Sequence, residues 1–224
     1  MSAVFVTATG TDIGKTFVTA GLIRHLRAAG KPVDALKPVV SGFDPAAPEG
    51  SDPGALLAAL GQPLTGENIA RISPFRFAAP LSPDLAARRE NRSLDFAALV
   101  QFCKNAIAST SSTLFTEGVG GVMVPLDERH TVLDWMAALR LPVLLVTGSY
   151  LGTISHTLTA LDVLRRREVE VRALVVNETA GATVALADTA DSIGRFAGSI
   201  PLVTMPRLAP NAGHPAFGQI AKLL

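Results

Sequence analysis

Short apolar runs alternate with amphipathic segments along most of this chain. Segments 3–7, 33–40, 113–117, 142–147, 171–177 and 199–203 are apolar enough to form buried strands. Apolar residues recur at helical spacing in segments 17–26, 94–109, 132–139, 154–166, 183–196 and 216–224. Strands that alternate with helices form a parallel sheet covered by helices on both faces. We therefore predict an α/β fold, with one domain over residues 1–224 and a mostly parallel sheet of about seven strands.

Two segments are too long to be ordinary connections in such a fold. Segment 41–52 is rich in glycine, proline and acidic residues, and segment 61–93 contains one predicted short helix that starts at Ser82. Loops of this length commonly cover or shape a binding site. Ligands of parallel sheets bind beyond the carboxyl ends of the strands, so we expect the functional residues there.

Composition and charge disfavour several classes of protein. The 224 residues are 48% hydrophobic and 17% charged, with a net charge of +1. This balance creates no long-range field that would attract nucleic acid or an anionic membrane, and no apolar run reaches the ~20 residues of a membrane helix. Cys103 is the one cysteine, which excludes an intrachain disulfide, and we expect it to pack between helices. Since the sequence shows no secretion signal, we expect a cytoplasmic protein.

The first strand and the first helix flank a motif typical of a phosphate-binding loop. Residues 8–16 read Ala-Thr-Gly-Thr-Asp-Ile-Gly-Lys-Thr. Glycines let backbone N–H groups turn toward a phosphate at the positive end of a helix. Lys15 would contact the outer phosphates, and Thr16 would place its hydroxyl on Mg²⁺. Thr9 stands where the usual motif has its first glycine, so a plain strand-to-helix turn with an exposed lysine is the alternative.

Other polar residues stand at or near the ends of predicted strands. Lys37 comes near the end of the second strand, and Glu117 ends the third and is followed by three glycines within four residues. Asp52 precedes a proline, and Asn177 ends a strand. Each residue also has a purely structural interpretation. Lys37 could reach solvent, Glu117 could lie in a turn, Asp52 could cap a helix, and Asn177 could satisfy a turn. We expect Lys15 and Lys37 to converge with a magnesium-binding carboxylate on one anion pocket.

Together these motifs resemble those of the dethiobiotin synthetase family of the biotin pathway. The most specific match is the segment Lys-Pro-Val-Val-Ser-Gly at 37–42. The other matching segments are 11–16, 51–52, 80–83, 117–121, 151–156, 177 and 200–202. The resemblance covers nearly the whole chain, and it implies a P-loop NTPase fold.

The resemblance also implies a reaction. An amine of 7,8-diaminononanoate takes up CO₂ as a carbamate, ATP phosphorylates the carbamate, and the second amine closes the cyclic urea with release of phosphate. Positioning and anion stabilisation dominate such chemistry, and the sequence offers no evident acid–base pair or covalent nucleophile. The family implies a homodimer with the diamine near the interface. From the net charge of +1 and the absence of a long apolar run, we expect no nucleic acid or membrane partner.

The family resemblance assigns roles to residues of this chain. Lys37 and Lys15 would be catalytic. Thr16, Asp52 and Glu117 would hold Mg²⁺. Substrate contacts would come from Thr11, Ser41, Ser82, Leu151 and Ser155. ATP would contact Asp12, Ile13, Gly14, Lys15, Thr16, Phe17, Asp52, Glu117, Gly118, Val119, Gly120, Asn177, Glu178, Pro201, Leu202 and Val203.

Four residues depart from the family pattern, and other functions stay open. Ala8 replaces a glycine, Asp12 a glutamate, Ser155 an asparagine that reaches the substrate across the dimer, and Asn211 a glutamate near the nucleotide. The alternatives are a partitioning ATPase, a GTP-binding switch, and a related ligase that amidates a larger substrate. The partitioning group carries a lysine where this chain has Gly10, and residues 177–180 are not a guanine-binding Asn-Lys-x-Asp motif.

Overall fold

The computed structural model describes residues 2–208 and 214–224. Its strands are β1 Ala3–Ala8, β2 Val33–Leu36, β3 Val39–Ser41, β4 Phe75–Phe77, β5 Thr113–Glu117, β6 Val143–Thr147, β7 Val171–Asn177 and β8 Leu202–Met205. Its α-helices are α1 Lys15–Ala28, α2 Asp52–Leu60, α3 Gly66–Ile72, α4 Pro83–Arg89, α5 Phe96–Ser109, α6 Val132–Leu139, α7 Thr153–Arg166, α8 Leu186–Ala197 and α9 Ala216–Ala221. A single 3₁₀ turn is described, at Pro48–Gly50.

Six of the strands form one parallel sheet, in the order β2-β5-β1-β6-β7-β8. The strands β3 and β4 pair in parallel as a separate small sheet. The α/β class and the parallel sheet are thus confirmed, with six strands in the main sheet instead of about seven. Because the strands run in one direction, their carboxyl ends meet along one edge, where a ligand can contact several of them.

The core lies on both faces of this sheet. Along β1, Val4 and Val6 pack on one face with α1, α2, α3 and α9, while Phe5 packs on the other with α4 to α8. Side chains of successive strand residues point to opposite faces, so a strand buried on both sides must be apolar throughout. This requirement explains why β1 and β6 at the centre of the sheet were recognisable as apolar runs.

The predicted strand 33–40 is in fact two strands that belong to different sheets. Only β2 joins the main sheet, beside β5 and not beside β1, and β3 pairs with β4. Pro38 has no N–H to donate, and the N–H of Lys37 bonds the carbonyl of Ile72 at 3.0 Å. The chain therefore leaves the main sheet at Lys37, and the prediction of a single strand over 33–40 is wrong.

Three further boundaries differ from the predictions. Segment 61–93 contains α3 and β4 in addition to α4, and these two elements are too short to show a period. The last strand covers 202–205 instead of 199–203, because the Pro201 carbonyl only accepts a bond from the N–H of Leu174 before the ladder begins. Ser51, not Asp52, caps α2, accepting from the N–H of Gly54 at 3.2 Å.

Asn211, one of the departures from the family pattern, lies outside the described residues. Within residues 2–208 and 214–224, none of the helices combines the length and the apolarity that crossing a membrane would require.

Cys103 is fully buried on α5, as the sequence predicts. Burial raises the pKa of its thiol to about 12. Since the thiolate is the reactive form, we expect native protein not to react with a disulfide reagent at about pH 8. Thiol titration checks this, with the denatured chain as the positive control; stoichiometric labelling of the native protein would contradict it.

Candidate active site

The phosphate-loop motif forms a tight turn between β1 and α1. Gly14 precedes α1 with φ +94°, and a Cβ built there would lie 2.5 Å from Nδ2 of Asn177, so glycine is required on both counts. Asn177 donates from Nδ2 to the Ile13 carbonyl at 2.8 Å. Asp12 has φ +57°, a left-handed conformation that aspartate tolerates better than most residues. The end of β7 therefore supports the loop directly.

Lys15 lies between the phosphate loop and the glycine-rich turn after β5. Its Nζ donates to the carbonyls of Gly10 at 3.1 Å and Gly120 at 2.7 Å. Only 7% of Lys15 is exposed, and burial, followed by the charge of Lys37, lowers its pKa to about 8. Gly121 lets the turn after β5 lie this close to the phosphate loop, because a Cβ there would lie 3.1 Å from the Thr9 carbonyl oxygen.

Lys37 is buried and surrounded by oxygen atoms. Its Nζ lies 2.8 Å from Glu117 Oε1, 2.7 Å from Asp52 Oδ2 and 2.8 Å from the Gly118 carbonyl oxygen. The side chain is 2% exposed, and that of Glu117 is 0% exposed. A buried ammonium group is stable only when it is paired and hydrogen-bonded, and here each of its protons has an acceptor.

The pKa values of this cluster follow from burial and pairing. Burial favours neutral Lys37, but the charges of Glu117 and Asp52 outweigh it, so the pKa of Lys37 is raised above its usual range. Burial favours neutral Asp52, but the charge and hydrogen bond of Lys37 outweigh it, so the pKa of Asp52 is lowered. The site thus holds an ammonium and a carboxylate, both ionised near neutral pH.

Oxygen atoms from three elements converge beside this ion pair. The Thr16 hydroxyl lies 2.8 Å from Asp52 Oδ1 and 2.7 Å from Glu117 Oε1. The second carboxylate oxygen of Glu117 is buried and has no hydrogen-bond partner among the described residues. A hydroxyl, a half-exposed carboxylate and an unpartnered carboxylate oxygen suit Mg²⁺, which prefers oxygen ligands and commonly takes one or two carboxylates. Thr16, Asp52 and Glu117 therefore fit the cation that the sequence predicts.

A cavity of about 750 Å³ opens in front of these groups. Predicted site residues in its wall are Thr11, Asp12, Gly14, Lys15, Thr16, Lys37, Ser41, Asp52, Ser82, Val119 and Gly120. The Ser41 hydroxyl is buried and lacks a partner among the described residues. Glu117 and Gly118 lie behind this wall, where they contact Lys37. The two lysines that the sequence predicts to converge thus line a common cavity.

A second cavity, of about 560 Å³, lies on the other side of the phosphate loop. Predicted residues in its wall are Asp12, Ile13, Gly14, Phe17, Asn177 and Glu178. Asp12 and Gly14 line both cavities, so the phosphate loop lies between them. The phosphate loop thus divides the candidate site into two chambers, one beside the two lysines and another at the end of β7.

Similar proteins identify the family. A family model described as an AAA domain matches residues 2–211. A protein of Methylobacterium nodulans named ATP-dependent dethiobiotin synthetase BioD is 52% identical over 97% of both chains. The chain belongs to the dethiobiotin synthetase family. Proteins with the same name from Acidiphilium cryptum and Caulobacter vibrioides are 50% and 46% identical, over 90% and 100% of this chain and 91% and 99% of their own.

Two solved structures have a fold similar to that of this chain. The septum site-determining protein MinD of Pyrococcus horikoshii, complexed with Mg-ADP, has a TM-score of 0.58 at 14% identity, over 99% of this chain and 94% of its own. The signal recognition particle receptor FtsY of Elizabethkingia anophelis has a TM-score of 0.54 at 15% identity, over 94% of this chain and 59% of its own. At these identities the likeness shows the fold alone.

Some residues that the dethiobiotin synthetase resemblance implies lie away from both cavities. Leu202 and Val203 are strand residues of β8, Pro201 precedes them, and none of the three lines the chamber at Asn177. Leu151 is 83% exposed, and Ser155 is exposed on the first turn of α7. The structure therefore does not bring these five residues to either cavity of the same chain.

The second chamber is also lined by residues that were not predicted from the sequence. They are Tyr150, Thr179, Ala180, Met205, Pro206, Arg207, Leu208 and His214. The strand-end rule could have found four of them, because Met205 ends β8 and residues 206–208 follow it. The predicted strand ended two residues early, at Val203, and this error pointed to residues inside the strand.

The buried ion pair generates a stability prediction for this dethiobiotin synthetase family member. Lys37→Met leaves the fully buried Glu117 carboxylate without its cation, so we expect the free energy of unfolding to fall by ~3–5 kcal/mol. Urea denaturation measures this change. Lys104→Met, which alters an exposed lysine on α5, is the matched control and should change stability by less than ~0.5 kcal/mol. Equal effects of the two variants would contradict the prediction.

Proposed function

We propose that this protein is an ATP-dependent dethiobiotin synthetase, a ligase that acts as one domain over residues 1–224. It converts 7,8-diaminononanoate, CO₂ and ATP into dethiobiotin, ADP and phosphate in biotin biosynthesis. The observation that carries the proposal is the convergence of Lys15 and Lys37 on one cavity beside Asp52 and Glu117. Family membership at 52% identity over 97% of both chains supports the choice of reaction.

The geometry suits a reaction whose intermediates are anions. One amine of the substrate adds to CO₂ and loses a proton, which gives a carbamate. The carbamate oxygen attacks the γ-phosphorus of ATP and releases ADP. The second amine then attacks the carbonyl carbon of the carbamic-phosphoric anhydride, and the cyclic urea closes as phosphate leaves and the attacking nitrogen loses a proton to solvent. Each step places negative charge where Lys37 and Lys15 lie, and fixed cations in a water-poor site stabilise such charge strongly.

Each site residue has a role in this proposal. Lys37 stabilises the carbamate and the transferring phosphoryl group, and Lys15 stabilises the outer phosphates. Thr16, Asp52 and Glu117 hold Mg²⁺, which neutralises phosphate charge when bound. The Ser41 hydroxyl, buried and without a partner among residues 2–208 and 214–224, donates to the substrate. Thr11 and Ser82, in the same wall, complete its contacts.

The second chamber is the proposed site of the nucleotide base. Asn177 Oδ1 is buried and without a partner in the part of the chain that the structure describes, so it can accept from an exocyclic amine. The phosphate loop between the two chambers gives ATP a path from base to γ-phosphate. Asp12, which is shared by both chambers, lies where this path crosses.

We further propose a homodimer that acts in the cytoplasm. Leu151 and Ser155 are exposed at the start of α7, which is compatible with a role in the partner subunit's site. A contribution from the partner explains how residues of the substrate segment can serve a cavity that they do not line in their own chain.

A product assay tests the proposed reaction. The protein is incubated with ATP, Mg²⁺, bicarbonate and the diamine, and dethiobiotin is sought by mass spectrometry. A nucleotide switch would hydrolyse ATP without the diamine, and a ligase for a larger substrate would give no cyclic urea. Phosphate release that depends on the diamine, together with the product mass, is the expected result.

Lys37→Ala tests the residue on which the mechanism depends. We expect turnover to fall by about 10²–10³, as for the loss of one oxyanion-stabilising group, while binding of a non-hydrolysable ATP analogue persists. Rates are expressed per folded protein, because this variant also loses a buried ion pair. Lys104→Ala on exposed α5 is the control and should keep full turnover. Full turnover of Lys37→Ala would remove Lys37 from the mechanism.

A further inference from the structure

A buried cluster of threonine hydroxyls lies between the phosphate loop and α7, and the mechanism above does not use it. Thr147 Oγ1 lies 3.2 Å from Thr9 Oγ1, 2.9 Å from Thr153 Oγ1 and 2.8 Å from Thr157 Oγ1. Thr147, Thr153 and Thr157 are each at most 1% exposed. Polar groups buried this deeply in a core normally have a structural or functional reason.

The sheet register explains why Thr9 and Thr147 meet. Strands β1 and β6 pair in parallel, with Ala8 opposite Val146, so Thr9 and Thr147, the next residues after them, face each other. The Thr9 N–H extends the ladder by donating to the Val146 carbonyl at 3.0 Å. Directly opposed residues have side chains on the same face. Thr9 is the residue that replaces the usual first glycine of the phosphate loop, and its side chain makes a contact that glycine could not.

The helix side of the cluster follows from helical spacing. Thr153 begins α7, and Thr157 lies four residues later on the same face. The Thr153 hydroxyl donates to the Gly148 carbonyl at 2.8 Å, and the Thr157 hydroxyl donates to the Thr153 carbonyl at 2.7 Å. Both helix hydroxyls thus have a backbone acceptor of their own.

Counting protons gives the cluster a direction. The two α7 hydroxyls use their protons on carbonyls, so at their contacts with Thr147 they accept. Thr147 has one proton to give, to Thr153 or to Thr157 but not to both, and its lone pairs accept the proton of Thr9. The result is a one-way chain of hydrogen bonds from the phosphate loop through β6 into the first turn of α7.

We propose that Thr147 is a positioning residue that fixes the phosphate loop relative to the first turn of α7. Through Thr9 it holds the start of the loop that binds nucleotide. Through Thr153 and Thr157 it holds the first turn of α7, which contains Ser155 and directly follows Leu151 and Gly152, and this second part rests on the proposed function. Nucleotide affinity and diamine affinity therefore both depend on one hydroxyl that contacts neither ligand.

Thr147→Val tests this role, because it keeps the shape of the side chain and removes only the hydroxyl. The lost bond to Thr9 corresponds to ~0.5–1.5 kcal/mol, so we expect Mg-ADP to bind about 2- to 12-fold more weakly in isothermal titration calorimetry. Thr147→Ser restores the hydroxyl and should restore most of the affinity. Unchanged affinity of Thr147→Val would overturn the proposal.

Strand β1 provides a matched control. Thr7 is 1% exposed on β1, two residues before Thr9 and on the same face, and its hydroxyl has no partner among the described residues. Thr7→Val removes an equally buried hydroxyl without breaking a bond, so Mg-ADP affinity should stay unchanged. A loss in Thr7→Val as large as that in Thr147→Val would assign the effect to general packing and overturn the proposal.

Two further readouts separate positioning from stability and from the proposed reaction. Thr9→Val and Thr147→Val break the same bond, so the double variant should bind Mg-ADP no more weakly than the worse single variant, whereas additive losses would contradict the chain. In the product assay Thr147→Val should raise the KM for the diamine more than it lowers kcat. If the wild type forms no dethiobiotin, the proposed function fails, but the Mg-ADP measurements still decide the role of Thr147.

Discussion

The pairing of the Lys37 ammonium with Glu117 and Asp52 is the interaction on which the rest of the site depends. A charge that is 2% exposed would be expelled to solvent unless its protons had acceptors, and this requirement constrains three separate parts of the chain. Glu117 must end β5, Asp52 must begin α2, and the chain must leave the main sheet at Lys37. The small sheet of β3 and β4 follows from that departure.

The same cluster links stability to chemistry. Its carboxylates neutralise Lys37 within the protein, and the Thr16 hydroxyl contacts both of them. A cation and an anionic ligand entering the cavity would share these groups instead of recruiting new ones. The site is therefore organised before its ligands arrive, and little rearrangement is needed to stabilise charge during a reaction.

Local patterns in the sequence were sufficient for much of this arrangement. The phosphate loop, the strand that ends at Glu117 and the exact span of β7 were predictable, because apolar runs and glycine motifs act over a few neighbouring residues. Pro38 is a signal that the predicted strand 33–40 breaks, but the apolar residues on either side of it favour a single strand. The position of β8 and the contact of Thr9 with Thr147 were beyond reach, because they depend on which strands are neighbours, and periodicity carries no information about strand order.

The chamber at Asn177 combines residues that are far apart in sequence. Residues 12–14 and Phe17 form one wall and residues 205–208 another, so its closure requires contacts across nearly the entire chain. We expect contacts of such long sequence separation to form late in folding, because their loop-closure entropy must be paid before they stabilise the fold. An incompletely folded molecule can thus possess the glycine turn yet lack the chamber that we propose for the base. Nucleotide would bind only the finished fold, and by mass action it would draw unfolded chains toward that state.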